Sequence, residues 1–166
     1  MDVGGGLPAR PDRPWRHDWY PYEQYQIVHD NHMQRLEREG VVQRDALSFI
    51  ETVDGSGELV AVQLQGRLFC PEREVAIRVA KRMEVRRGAA NRYEVRTVSY
   101  AYHAWVRRRG PGAARRNLLR IDTNGHRPGL HAHLFDGEGN EVQVTELAIE
   151  DLPTLDAFIR HVARGE

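Results

Sequence analysis

Over the fourteen residues from Glu74 to Arg87 the chain alternates between two kinds of side chain with a period of two. Val75, Ile77, Val79, Lys81, Met83 and Val85 fall on one side, and Ala76, Arg78, Ala80, Arg82, Glu84 and Arg86 on the other. A strand presents successive side chains to opposite faces, whereas a helix, with its period of 3.6, cannot sort such a run. The pattern predicts a half-buried antiparallel strand whose wet face is basic. A strand this long needs long partners, and the flanking segments supply them.

Upstream, Ala46–Val53 and Glu58–Phe69 are β-rich runs joined by Asp54-Gly55-Ser56-Gly57, a strong hairpin signal, and Cys70-Pro71 ends the second run. Downstream, the turn Gly88–Asn91 leads into Tyr93–Val106. There Tyr93, Val95, Thr97, Ser99, Ala101, His103 and Trp105 are expected on one face, with Val98, Tyr100, Tyr102 and Ala104 on the other. Two short strands from Leu118 to Phe135 and a last one at Glu141–Glu146 follow, the latter pair separated by the turn Asp136–Asn140.

Helices close the two ends. Tyr25, Val28, His32 and Leu36 recur every three or four residues within Tyr22–Arg38, and Gly40 supplies a stop. His29 and His32, on a helix crowded with Glu and Arg, read as solvated. Asp151-Leu152-Pro153 opens a second helix with Asp151 as its expected N-cap and Leu155, Phe158, Ile159 and Val162 as its apolar stripe. The expected fold class is α+β: a curved antiparallel β-meander of about six to seven strands with an N-terminal and a C-terminal helix. Residues 1–20, rich in Gly and Pro and carrying Trp15, Trp19 and Tyr20, read as a flexible arm before a single domain at 21–166.

No apolar run approaches the ~20 residues that a membrane-spanning helix needs. The opening MDVGGGLPARPDRP lacks the apolar core of a secretory signal. Cys70 is the only cysteine, which excludes an intrachain disulfide and a cysteine-based zinc cluster. A cytoplasmic location is the expectation. Net charge is zero, yet its distribution is uneven: Arg67–Arg127 holds sixteen Arg or Lys against five Asp or Glu. All but Lys81 of the basic residues are arginines, whose forked donors suit phosphate and carboxylate. Arg78, Arg82 and Arg86 on the long strand, and Arg107, Arg108, Arg109, Arg115 and Arg116 in the loop after Val106, form a candidate nucleic-acid contact, with Tyr100 or Tyr102 available to stack on a base. Plain solubility accounts for the loop equally well.

The hairpin Leu118–Phe135 concentrates the chemistry. Leu119, Ile121 and Thr123 point one way, as do Leu130, Ala132 and Leu134, which leaves Arg120, Asp122, His131 and His133 on the opposite face and His126 in the connection. Those residue types suit cleavage of a phosphodiester: histidine serves as base and acid, arginine answers developing negative charge, and Asp122 orients a histidine. With RNA, whose 2′-hydroxyl is an internal nucleophile, no metal is required. An ion pair beside two surface histidines fits the same residues.

The order S-Y-A-Y-H at Ser99–His103, a basic interruption, L-L-R-I-D-T-N at Leu118–Asn124, His126, then H-A-H at His131–His133 resembles the TumE-like toxin family, small bacterial proteins encoded beside an antitoxin. The resemblance covers roughly residues 98–162. It implies a toxin that acts on RNA and is neutralised by a partner protein, with Arg120, Asp122, His126, His131, His133, Tyr102 and His103 as the catalytic set. Two alternatives stay open. Gly125, His131, His133 and Glu138 resemble the first metal motif of cupins, with His131, His133 and Glu138 sharing a divalent metal such as Zn or Fe. A non-catalytic basic sheet that binds nucleic acid or an acidic protein is the other. The acidic C-terminal segment can also satisfy the basic face, within the chain or in a homodimer.

Overall fold

In a computed structural model, which describes residues 18–43, 46–123 and 129–165, the chain forms one eight-stranded antiparallel sheet with two helices on one face. The strands are β1 (Tyr20–Pro21), β2 (Leu47–Val53), β3 (Leu59–Cys70), β4 (Val75–Arg87), β5 (Tyr93–Val106), β6 (Arg116–Asp122), β7 (His131–Phe135) and β8 (Glu141–Glu146). Helix α1 spans Tyr22–Arg38 and α2 spans Leu155–Arg164. From β2 to β8 every strand pairs with its neighbour in sequence, while β1 pairs with β5 through Tyr20 and Val95. This is the expected α+β meander, with the arm's end, Trp19 and Tyr20, drawn onto it: the Trp19 ring lies 4.4 Å from the Arg86 guanidinium and 4.9 Å from that of Arg96.

The helices cover the apolar side of β4 to β7. Met33 and Leu36 of α1 and Leu155, Phe158, Ile159 and Val162 of α2 pack with Ile77, Val79, Tyr102, Leu119, Ile121 and Ala132 in the larger core cluster. A smaller cluster joins Tyr22, Val62, Leu64, Met83 and Val95 under the start of α1. The inward stripe of α1 runs through Tyr22, Met33 and Leu36, and Val28 is exposed, so the periodic set containing Val28 is displaced around the helix. His29 is only partly solvated: its ring sits edge-on to Phe49 at 5.3 Å, and burial together with nearby Lys81 and His32 pushes its pKa down to about 4. The cap of α2 is Thr154, whose hydroxyl accepts from the Ala157 amide at 3.0 Å, and Asp151 lies in a preceding short 3₁₀ turn.

Bulges decide which residues share a face. Pairing between β4 and β5 skips Val98, so Val95 and Thr97 join Tyr100 and Tyr102 on the helix side instead of His103 and Trp105. Pairing between β5 and β6 skips Leu118, which turns Asn117 to the open face. Pairing between β7 and β8 skips Val142, which turns Glu141 the same way. A bulge inserts one residue and re-aims its neighbours. It leaves Val142 63 % exposed and explains that apolar surface.

Candidate functional site

On the open face, register alone builds a row across five strands. Arg67, Arg78, His103, Arg120 and His133 are successive cross-strand partners from β3 through β4, β5 and β6 to β7. The adjacent row is Ala80, Ala101, Asp122, His131 and Glu146. Directly opposed side chains lie about 5 Å apart. The strand alternation of the hairpin therefore brings Arg120, Asp122, His131 and His133 into one group, as the hairpin pattern implies, and adds His103 from β5.

Within that group Asp122 is 1 % exposed and His131 3 % exposed. Arg120 Nε donates to Asp122 Oδ2, while the rest of its half-exposed guanidinium makes no hydrogen bond among the described residues. His131 Nδ1 donates to the Gly129 carbonyl at 3.2 Å, and His133 Nδ1 to Glu141 Oε2 at 2.6 Å. A ring that carries a single proton then holds it at Nδ1 and turns an Nε2 lone pair inward. His131 Nε2 is 3.1 Å from Asp122 Oδ1, and the rings lie 4.9 Å apart. Asp122 Oδ1 and His133 Nε2 are buried without a hydrogen-bond partner.

Three inward-facing acceptors thus share a small space, their ligand atoms all within 4.8 Å of one another. Without a proton or a cation among them they repel, and each unanswered buried polar group costs about 1–3 kcal/mol. A divalent cation held at about 2.0–2.2 Å from each donor needs donor separations no greater than ~4.4 Å. The group meets that with sub-ångström closure. Each histidine also has the outer partner that metal-binding imidazoles use, a carbonyl for His131 and a carboxylate for His133. Asp122, His131 and His133 form a group that can hold a metal ion.

Glu138 is not part of it. It sits on the exposed turn after β7, with its amide bound to Asp136 Oδ1. The cupin alternative also loses its scaffold, because a sheet of sequential neighbours lacks the crossing connections of a jelly roll.

Tyr100 and Tyr102, expected to stack on a base or to catalyse, face the helices instead. They are 5 % and 1 % exposed, and the Tyr102 ring packs 5.3 Å from Phe158. The adjacent His103 does face the site: its Nε2 bonds Asn117 Oδ1 at 2.9 Å, and burial, reinforced by Arg120, Arg115 and Arg78, lowers its pKa below the ordinary histidine value. His126 lies outside the described residues.

The loop arginines are largely engaged. Arg109 pairs with Glu74, Arg108 and Arg116 donate to the carbonyls of Glu138 and Gly137, and Arg107 and Arg115 lie over Phe69 and Trp105. Arg86 pairs with Glu94. By contrast, Arg78 and Arg82 are exposed on the open face and make no ion pair among the described residues. Beside them a groove of about 460 Å³ is walled by Gln63, Gln65, Arg82, Ser99 and Thr123.

Glu141 and Asn117 escaped notice in the sequence because each reaches the open face through a bulge. No helix among the described residues is long and apolar enough to cross a membrane. A scan against protein-family models, a search of curated proteins and a search of solved structures each returned no match.

Proposed function

We propose that this chain cuts RNA as the toxin of a toxin–antitoxin pair, with one divalent cation held by Asp122, His131 and His133. The observation that carries the reading is the convergence of Asp122, His131 and His133, with Asp122 Oδ1 and His133 Nε2 buried and unanswered, beside an arginine whose outer nitrogens are uncommitted. It favours the metal-binding alternative over metal-independent chemistry, because a general base must reach its substrate and His133 Nε2 is buried. Toxin context, an antitoxin partner and action in the cytoplasm rest on the family resemblance.

A bound cation would polarise a phosphoryl oxygen and acidify the attacking hydroxyl. The chain's own groups supply the remainder. Arg120 fixes Asp122 through Nε and offers its terminal nitrogens to a phosphate. Arg78, two positions along the same row, and Arg82 at the groove extend that charge along an RNA backbone. His103 is uncharged at neutral pH and stands beside Arg120, where it can accept a proton.

The donor set is also that of non-haem iron oxygenases. A basic, open sheet face suits a polyanion better than a small co-substrate. The test is incubation of chelator-treated protein with single-stranded RNA, followed by return of Zn, Mn, Mg or Fe(II). Cleavage that vanishes with chelation and returns with one of these ions is expected. Cleavage indifferent to chelator contradicts the metal assignment, and no cleavage under any condition contradicts the RNA assignment.

A further inference from the structure

We propose that the cavity between the helices and the sheet binds a small organic carboxylate, held by Lys81. The cavity is about 140 Å³ and lies on the face opposite the site above, between α1, the start of α2 and strands β4 and β5. Lys81 is the only lysine of the chain. It occupies the apolar side of β4 at the seam of the core, since Val79 on one side belongs to the larger cluster and Met83 on the other to the smaller.

An ammonium group in such a place requires an answer, because an uncompensated charge inside a protein costs several kcal/mol. Lys81 has a partial one. Its Nζ donates to the Tyr25 hydroxyl at 3.3 Å and lies 5.9 and 5.7 Å from the ring centroids of Tyr25 and Tyr102. Tyr100 is its cross-strand partner. No carboxylate pairs with it among the described residues. Asp156, the acid in the cavity lining, is held by Arg160, which donates to its Oδ2 at 3.1 Å, while its buried Oδ1 makes no hydrogen bond and lies 4.0 Å from Arg35.

The ligand class follows from what surrounds the charge. Lys81 supplies positive charge and donors, and the N-terminal end of α2 borders the cavity through Thr154 and Leu155, adding the positive end of a helix dipole. A single ammonium and one helix end match a monoanion. Met33, Leu36 and Leu155 with the tyrosine rings form apolar walls, which suit a body of a few carbons. Phosphate fits poorly, since its dianion has no apolar part for those walls and finds no second cation in the lining.

The site shares no ligand group with the metal cluster, so its test is independent of the function proposed above. The full chain would be titrated with sodium benzoate and sodium butyrate at constant ionic strength and pH, with inorganic phosphate as comparator, and followed by calorimetry. Saturable binding of at least one carboxylate is expected, weakened at least tenfold in Lys81→Met and severalfold in Tyr25→Phe, with no saturable phosphate binding. Should Lys81→Met fail to fold, wild-type protein can be acylated with acetic anhydride and read by mass spectrometry at its single lysine. Bound benzoate or butyrate is expected to slow modification of Lys81 severalfold. Absence of saturable carboxylate binding to wild type, undiminished binding by folded Lys81→Met, or carboxylate that leaves Lys81 acylation unchanged would overturn the proposal.

Discussion

His133 and Glu141 are joined across the β7–β8 hairpin, Nδ1 to Oε2 at 2.6 Å, and that bond turns the other ring nitrogen toward Asp122. The contact exists because Val142 is bulged out of the ladder, which places Glu141 on the face that carries His133. Outer partners of this kind set ring orientation and ligand basicity, and their loss costs 10–100-fold in metal affinity. Glu141→Gln is therefore expected to weaken Zn or Mn binding about 10–100-fold with little change in the urea midpoint. Metal titration followed by calorimetry, beside a denaturation curve, checks both parts.

Arg120 and His133 occupy opposed positions in one cross-strand row. Arg120→Ala and His133→Ala are each expected to abolish growth inhibition on expression while leaving the protein folded. Arg120→Lys should restore little, since a point charge cannot hold Asp122 and a phosphate together as the forked guanidinium does. Wild-type toxicity in both folded alanine variants would dismiss the assignment.

Arg78 and Arg82 are exposed and unpaired among the described residues, whereas Arg109 is paired with Glu74. Each phosphate neutralised on a single strand contributes about 0.7 to the slope of log K against log salt. Replacing Arg78 and Arg82 with Gln should lower the RNA-binding slope by roughly 1.4. Neutralising Arg107, Arg108 and Arg109 should change it less per residue, because their side chains are engaged by the protein. Filter binding at several salt concentrations reads this directly.

His29 links stability to pH. Its folded pKa is about 4, against 6.5 as the ordinary value. The unfolded chain takes up this proton as pH falls through 6.5, and the folded chain does not until about 4, so stability is full above 6.5 and declines between those values. The slope from one such group is at most about 1.4 kcal/mol per pH unit, and the ring's partial exposure reduces it. His29→Gln should flatten the decline. Urea midpoints at pH 7 and pH 5 for both proteins measure the difference.

Tyr102 is 1 % exposed, and its ring packs on Phe158. Tyr102→Phe should retain RNA cleavage, whereas Tyr102→Ala should cost about 3–5 kcal/mol, as large aromatic truncations in a core do. Loss of cleavage in a stable Tyr102→Phe protein would return the hydroxyl to the chemistry.

The meander was legible because its strands carry unbroken alternation on either side of strong turns. Alternation also sorted the hairpin, placing Leu119, Ile121 and Ala132 in the core and Arg120, Asp122, His131 and His133 opposite. It failed wherever one extra residue entered the ladder. Val98 moved Val95 and Thr97 across the sheet, Leu118 delivered Asn117 to His103, and Val142 delivered Glu141 to His133. A period-two reading cannot register such an insertion, because local composition at these positions is as strand-like as that of the flanking residues. Tyr100 and Tyr102 are ambiguous in the sequence because tyrosine suits either a core or a base stack, and only packing beneath the helices decides between them. Lys81 falls among the apolar positions of β4 and is the irregularity in that strand, and the structure sets it beside a cavity.

The central claim is that Asp122, His131 and His133 hold one divalent cation. Its most direct measurement is calorimetric titration of chelator-stripped full-length protein with Zn and with Mn, beside Asp122→Asn and His131→Ala. One ion per wild-type chain is the expected result, with binding lost from both folded variants. Absence of saturable binding by wild type, or equal binding by the variants, would contradict it.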